Sequence, residues 1–282
     1  MPYFKHGNAR IYYEDVGRGE PIISNHGLSE DCNYWSDTGV TARLAERYRV
    51  ISTDMRAHGR TVVEGEPYGY DADTMAADFD ALADYLDLDK FHLLSHATGG
   101  MVAVRYAMTR SERLLSLLLT DTGSATMPRM PGMENISEEE IISRRREAAQ
   151  APIPSLEEIM ANTRANPGPF LFKMAEHPDS ERMWQIFEGF LRRQDRREIV
   201  RFMGSFYTDP DPRIEGLRQI MCPTLILLGE HDIVFLEPSE LMAREIPNNK
   251  HVIIEGVGHM TAIEAPDRTT KELTNFLASV SR

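Results

Sequence analysis

Short apolar runs alternate with longer stretches of helical spacing along most of this chain, and that alternation leaves few folds open. The runs fall at 21–25, 48–53, 91–94, 114–120, 223–228 and 251–255. Each is too short for most helices and is apolar on consecutive residues, as a strand buried on both faces must be. Between them lie stretches that read as helices, at about 34–47, 71–88, from Gly100 onward, 237–246 and 266–279. In the second, Met75, Phe79, Leu82 and Leu86 recur at steps of three and four and share one face. Two further strands, 2–6 and 10–16, flank the turn His6-Gly7-Asn8. Strands alternating with helices predict the α/β class: a mainly parallel sheet with helices on both faces. In such sheets the chemistry sits on loops at the carboxyl ends of strands. Polar loops of this kind follow Asn25, Leu94, Leu228 and Glu255.

One segment breaks the alternation. From 124 to 221 no strand pattern is visible, and Pro128, Pro131, Pro152, Pro154, Pro167 and Pro169 divide it. Ser137 with Glu140, and Ser155 with Glu158, have the capping-box spacing that starts helices. Trp184, Phe187, Phe190, Leu191, Phe202, Met203 and Phe206 stand among charges. The expectation is a helical lid at 124–221 inserted into a core made of 1–123 and 222–282. A chain of 282 residues can bury a core of that size. Its net charge of −13 argues against a nucleic-acid partner, because phosphates attract basic surfaces. No apolar run approaches the roughly 20 residues that span a bilayer. The opening Met-Pro-Tyr-Phe-Lys-His lacks the basic-then-apolar build of a signal peptide. Cys32 and Cys222 are too few for a disulfide framework. These features lead to the expectation of a cytoplasmic enzyme with a small-molecule substrate, no membrane contact, and a homodimer as one open state of assembly.

The stretch Phe91-His92-Leu93-Leu94-Ser95-His96-Ala97-Thr98-Gly99-Gly100 reads as a buried strand turning sharply into a helix. It resembles the nucleophile elbow G-x-S-x-G of α/β-hydrolases. Ser95 stands where the first glycine would be, and Ala97 stands where the nucleophilic serine would be. Four other segments fit the same family in the same order. His26-Gly27-Leu28 is similar to its oxyanion loop. Asp54-Met55-Arg56-Ala57-His58-Gly59-Arg60 is similar to its D-x-R-G-x-G-x stretch, with Ala57 for a glycine. Gly229-Glu230-His231-Asp232 and Gly256-Val257-Gly258-His259 resemble the segments that carry the acid and the base. The resemblance, to a lid-bearing α/β-hydrolase, runs from near residue 10 to the C-terminus apart from the lid.

The resemblance implies roles. His259 would be the general base, since imidazole both takes and returns a proton near neutral pH. Asp232 would hold its tautomer, with Asp121 as the alternative acid. The backbone N–H groups of Leu28 and Thr98 would form the oxyanion hole. His26, His96 and Trp184 would line the pocket, the two histidines supporting the site rather than reacting. His58 reads as part of a structural turn. Arg192, Arg193, Arg196 and Arg197 read as a solvated helix face. No clustered ligands or phosphate-binding glycine loop imply a metal or cofactor.

Ala97 leaves three readings open. The chain is a serine hydrolase for an ester, lactone or C–C bond whose nucleophile has been changed to alanine. Or it is a serine-free enzyme using His259 and Asp232 as the base in lyase, decarboxylase or cofactor-independent oxygenase chemistry. Or it is a ligand-binding protein without catalysis.

Overall fold

The computed structural model describes residues 2–132, 135–148 and 150–280. The chain opens with β1 (Tyr3–His6), β2 (Ala9–Gly17) and β3 (Pro21–Asn25), followed by α1 (Tyr34–Asp37) and α2 (Val40–Leu44). Next come β4 (Arg49–Thr53), β5 (Val62–Val63), α3 (Ala72–Tyr85), β6 (Phe91–His96), α4 (Ala97–Arg110) and β7 (Leu114–Thr120). A purely helical segment follows: α5 (Glu138–Ala148), α6 (Leu156–Ala165), α7 (Gly168–Glu176), α8 (Ser180–Arg192), α9 (Arg196–Phe206) and α10 (Ile214–Leu217). The alternation resumes with β8 (Thr224–Gly229), α11 (Leu236–Glu245), β9 (Asn249–Ile254), α12 (Thr261–Glu264) and α13 (Pro266–Val280).

The strands form one sheet in the order β1-β2-β4-β3-β6-β7-β8-β9, with β5 paired to β2. From β4 to β9 all neighbours are parallel, whereas β1, β2 and β5 add an antiparallel edge. Successive residues on a strand face opposite sides, so the consecutive apolar runs feed two cores at once. Ile23, Ile51, Leu93, Leu117 and Ile226 join Met75 and Phe79 of α3 and Val102 of α4 on one face. Ile22, Val50, Leu94, Leu118 and Leu225 join Trp35 of α1 and Leu273 of α13 on the other. The helical insertion contributes to both, through Phe202 and Phe206 on the first side and Met174, Met183, Trp184 and Phe190 on the second.

Local signals explain most boundaries. The Ser155 capping box is complete: its hydroxyl accepts the Glu158 N–H, and the Glu158 carboxylate accepts the Ser155 N–H. Ser137 likewise accepts the Glu140 N–H at 3.2 Å. The single helix expected at 34–47 is instead two short ones, because Gly39 at φ +82° takes a left-handed conformation that a helix cannot contain. The elbow helix begins at Ala97, three residues before the expected Gly100.

The parallel register brings the strand ends together. Asn25 pairs with Ser95, His96 with Thr120, and Gly229 with Ile254. The loops that follow β3, β6, β7, β8 and β9 therefore share one edge. Gly229 permits the last two to touch: a Cβ there would fall on the carbonyl oxygens of Val257 and Gly258. Gly229→Ala should cost about 1–3 kcal/mol, the usual penalty for overpacking. Urea denaturation checks this, and an unchanged midpoint would mean that the two loops are not in forced contact.

Candidate active site

The elbow is built by strain and close approach. Ala97 sits at φ +45°, between the extended His96 and the first turn of α4. Left-handed backbone costs a residue bearing a Cβ roughly 1–2 kcal/mol. Its neighbours make room for it. A side chain on Gly99 would strike the His26 carbonyl oxygen, to which the Gly99 N–H donates at 3.0 Å. A Cβ on Gly100 would lie 2.6 Å from Thr122, whose hydroxyl donates to the Ala97 carbonyl at 2.6 Å. The turn thus has contacts from β3's loop on one side and β7's on the other.

The loop after β3 lies directly over Ala97. A Cβ on Gly27 would come within 3.1 Å of the Ala97 methyl group. Gly27, Leu28, Ser29 and Glu30 form a turn closed by Glu30 N–H to Gly27 O at 3.4 Å, with Ser29 at φ +61°. The N–H of the second residue in such a turn takes no part in its closing bond, which leaves Leu28 N–H as a donor. Thr98 lies in the first turn of α4, where N–H groups have no acceptor within the helix. Its hydroxyl meets the Tyr207 hydroxyl at 2.6 Å, so the helical insertion reaches the start of α4.

The loops after β8 and β9 bring His259 and Asp232 together. His259 Nδ1–H donates to Asp232 Oδ2 at 2.8 Å, and the Asp232 side chain has no exposure. That bond leaves Nε2 as the ring's acceptor. Asp232 Oδ1 accepts the Phe235 N–H. The His259 backbone is clamped from both sides by Glu264, whose carboxylate accepts the N–H of Gly258 at 2.7 Å and of Met260 at 3.1 Å. The His259 ring lies 4.6 Å from Phe170, 5.5 Å from Phe235 and 5.2 Å from His96, centroid to centroid.

Asp121, the alternative acid, is engaged elsewhere. It accepts the Thr261 hydroxyl at 2.5 Å and the Gly229 N–H at 3.2 Å, which ties the loop after β7 to β8 and α12. Burial, and then the neighbouring Asp232 charge, push its carboxyl well above the usual carboxylate range. His26 spends both ring nitrogens on backbone: Nε2 accepts the Met55 N–H and Nδ1–H donates to Gly27 O. Burial pushes its pKa down to about 4. His96 is fully buried, stacked 4.4 Å from the Tyr34 ring, with Nδ1 3.1 Å from the Thr120 hydroxyl. Trp184 packs within the insertion against Phe187 and the Arg164 guanidinium. His58 is a turn residue, its Nδ1–H donating to Arg56 O. Its partner motif residue Asp54 accepts the N–H groups of Cys32 and Arg60.

Arg193 is exposed, as expected of a solvated face, yet it also pairs with the buried Asp31 and with Asp37, and the adjacent Gln194 donates to Glu30 O and accepts the Gly59 N–H. Phe170, Phe235, Tyr207 and Glu30 are further residues of the site that the sequence did not single out. Among the described residues, no group of three His, Cys, Asp or Glu side chains could hold a metal ion. No helix among the described residues is long and apolar enough to cross a membrane.

A parallel sheet with an elbow after a central strand and a His–Asp pair on the later loops defines the class, and residues 26–272 match the model of the alpha/beta hydrolase family. The chain belongs to that family. Among individual relatives, it is 26% identical over 282 residues to a non-heme haloperoxidase of Rhodococcus erythropolis, covering 95% of this chain and 96% of that one. It is also similar to a thermophilic esterase from Thermogutta terrifontis, with a TM-score of 0.74 at 25% identity over 97% of this chain and 95% of that one. The enol-lactonase from Burkholderia xenovorans LB400 shares the fold, with a TM-score of 0.80 at 20% identity over 98% and 100% of the two chains.

Asp121 keeps its proton in the folded state above the 3.8 at which an exposed aspartate loses it. The folded state then binds more protons than the unfolded one, so this group makes stability fall as pH rises from about 3.8 toward its folded pKa. Asp121→Asn removes that loss. Relative to the parent, the variant should gain up to about 1.4 kcal/mol per pH unit across that window. Denaturation of both proteins over a pH series measures the difference, and a difference flat with pH would mean that Asp121 is ionised in the fold.

Proposed function

We propose that the chain is an α/β-hydrolase-type enzyme acting on the carbonyl carbon of a small organic ester, lactone or carbon–carbon-bonded ketone. The observation that carries this reading is the 2.8 Å bond from His259 to Asp232, set beside an elbow whose strained backbone is intact at Ala97. A pure binding role does not require that pairing. His259 Nε2 is the base, Asp232 fixes its tautomer and stabilises the imidazolium, and the N–H groups of Leu28 and Thr98 hold the oxyanion. Phe170 and Phe235 keep the imidazole in a largely apolar setting.

With alanine at position 97 no acyl-enzyme forms. His259 instead takes a proton from water as the water oxygen bonds to the carbonyl carbon. The tetrahedral intermediate then collapses, and His259 returns the proton to the departing oxygen or carbon. Without a nucleophilic side chain, residual catalysis is expected at roughly 10³–10⁴-fold over water. The segment 124–221 acts as the lid, supported by the reach of Tyr207 to Thr98 and of Arg193 to Asp31. The two cysteines, both free and buried, suit a reducing cytoplasm.

The second reading, a base-only enzyme of lyase or cofactor-independent oxygenase type, draws on the same observation, since alanine leaves His259 free to take a proton from substrate carbon. One substitution divides them. Ala97→Ser should raise hydrolysis of p-nitrophenyl acetate by on the order of 10³-fold or more, and His259→Ala in that background should remove the gain. No gain on introducing the serine would refute the hydrolase reading and leave the base-only one.

A further inference from the structure

Glu30 is an uncommon neighbour for an anion-binding turn. It is 3% exposed, and its carboxyl group faces inward between two parts of the site. Oε2 accepts the Gly27 N–H at 2.6 Å, while the Glu30 N–H donates back to Gly27 O. The turn is therefore closed reciprocally, and both of its end N–H groups are occupied. Oε1 lies 3.6 Å from His96 Nε2, a fully buried nitrogen without a hydrogen-bond partner. The His96 ring cannot turn away, because it lies against Tyr34 and is tethered at Nδ1 to Thr120. Asp121 Oδ2 also lies 3.4 Å from His96 Nδ1, and His259 is a further ring neighbour.

We propose that Glu30 is the positioning residue of this site: its carboxyl group, bonded to the Gly27 N–H and packed beside His96, fixes the Gly27–Glu30 turn and keeps the Leu28 N–H aimed beside Ala97. The role rests on the use of Leu28 as an oxyanion donor. Burial pushes the Glu30 carboxyl well above the usual carboxylate range, and burial and then the nearby His259 push His96 down. Both directions favour the neutral forms of the two groups, which removes the cost of burying a charge between the turn and His96. Asp31 on the same loop adds to the rise in Glu30, while Arg193 neutralises Asp31 from the insertion. Tyr34, from α1, is neutral beside it, because burial holds its hydroxyl well above the usual range. The insertion holds the same turn from outside through Gln194 on Glu30 O.

Two measurements test the role. In the Ala97→Ser background with p-nitrophenyl acetate, Glu30→Ala should lower kcat by about 100-fold with KM within about threefold, the cost of a misaimed donor. Glu30→Gln keeps an acceptor for Gly27 N–H and a donor for His96 Nε2, so kcat should stay within about fivefold of the parent. An unchanged kcat in Glu30→Ala, or equal losses in both variants with both folded by circular dichroism, overturns the proposal. The second measurement needs no activity and uses the chain with Ala97 as it stands. Amide hydrogen exchange at Gly27 should quicken at least about tenfold in Glu30→Ala and not in Glu30→Gln. Equal exchange in all three proteins overturns the proposal, whereas a silent Ala97→Ser enzyme with the expected exchange pattern overturns only the hydrolase reading.

Discussion

Backbone N–H groups buried in loops have no water to bond, and each must find an acceptor within the protein. This requirement organises the carboxyl edge of the sheet. The acceptors are buried carboxylates: Glu30 for Gly27, Asp54 for Cys32 and Arg60, Asp121 for Gly229, Asp232 for Phe235, and Glu264 for Gly258 and Met260. An acidic chain of net charge −13 thus keeps part of its acid inside, as loop anchors rather than surface charge. Only one of these carboxyl groups, Asp232, also hydrogen-bonds the His259 imidazole. The others set the loop geometry on which that meeting depends.

The strain at Ala97 has to be read in the same light. An alanine at φ +45° gains nothing locally from its conformation. It is held there because Gly99 and Gly100 let the loops of β3 and β7 approach to contact distance. The elbow is therefore a property of the surroundings as much as of residue 97, and the position would present a side chain of serine in the same direction.

Much of this was legible in the sequence, for identifiable reasons. The parallel strands were readable because strands buried on both faces are apolar throughout, and the edge strand β5 was not, because two residues carry no period. The elbow, His259 and Asp232 lie in local motifs at strand ends, where the topology leaves little choice of position. Phe170, Phe235 and Tyr207 were not legible as site residues, since they come from segments far along the chain and nothing local marks which ring will face His259. Glu30 was hidden for a similar reason: its meaning lies in His96, on another strand. Arg193 is exposed as its arginine run suggested, but its pairing with the buried Asp31 was not legible, because the two residues are 162 positions apart. Gly39 was visible, but its left-handed conformation was not.

The grip of Arg193 and Gln194 on the turn at residues 27–31 has a thermodynamic consequence. Two events that use one structural element share its free energy, and the coupling is the same in either direction. Whatever draws the Gly27–Glu30 turn into its working shape also favours the docked insertion, by the same factor that docking favours the shape. Anything that binds against this turn is then coupled to the docking of the insertion, although Arg193 and Gln194 meet the turn only from outside.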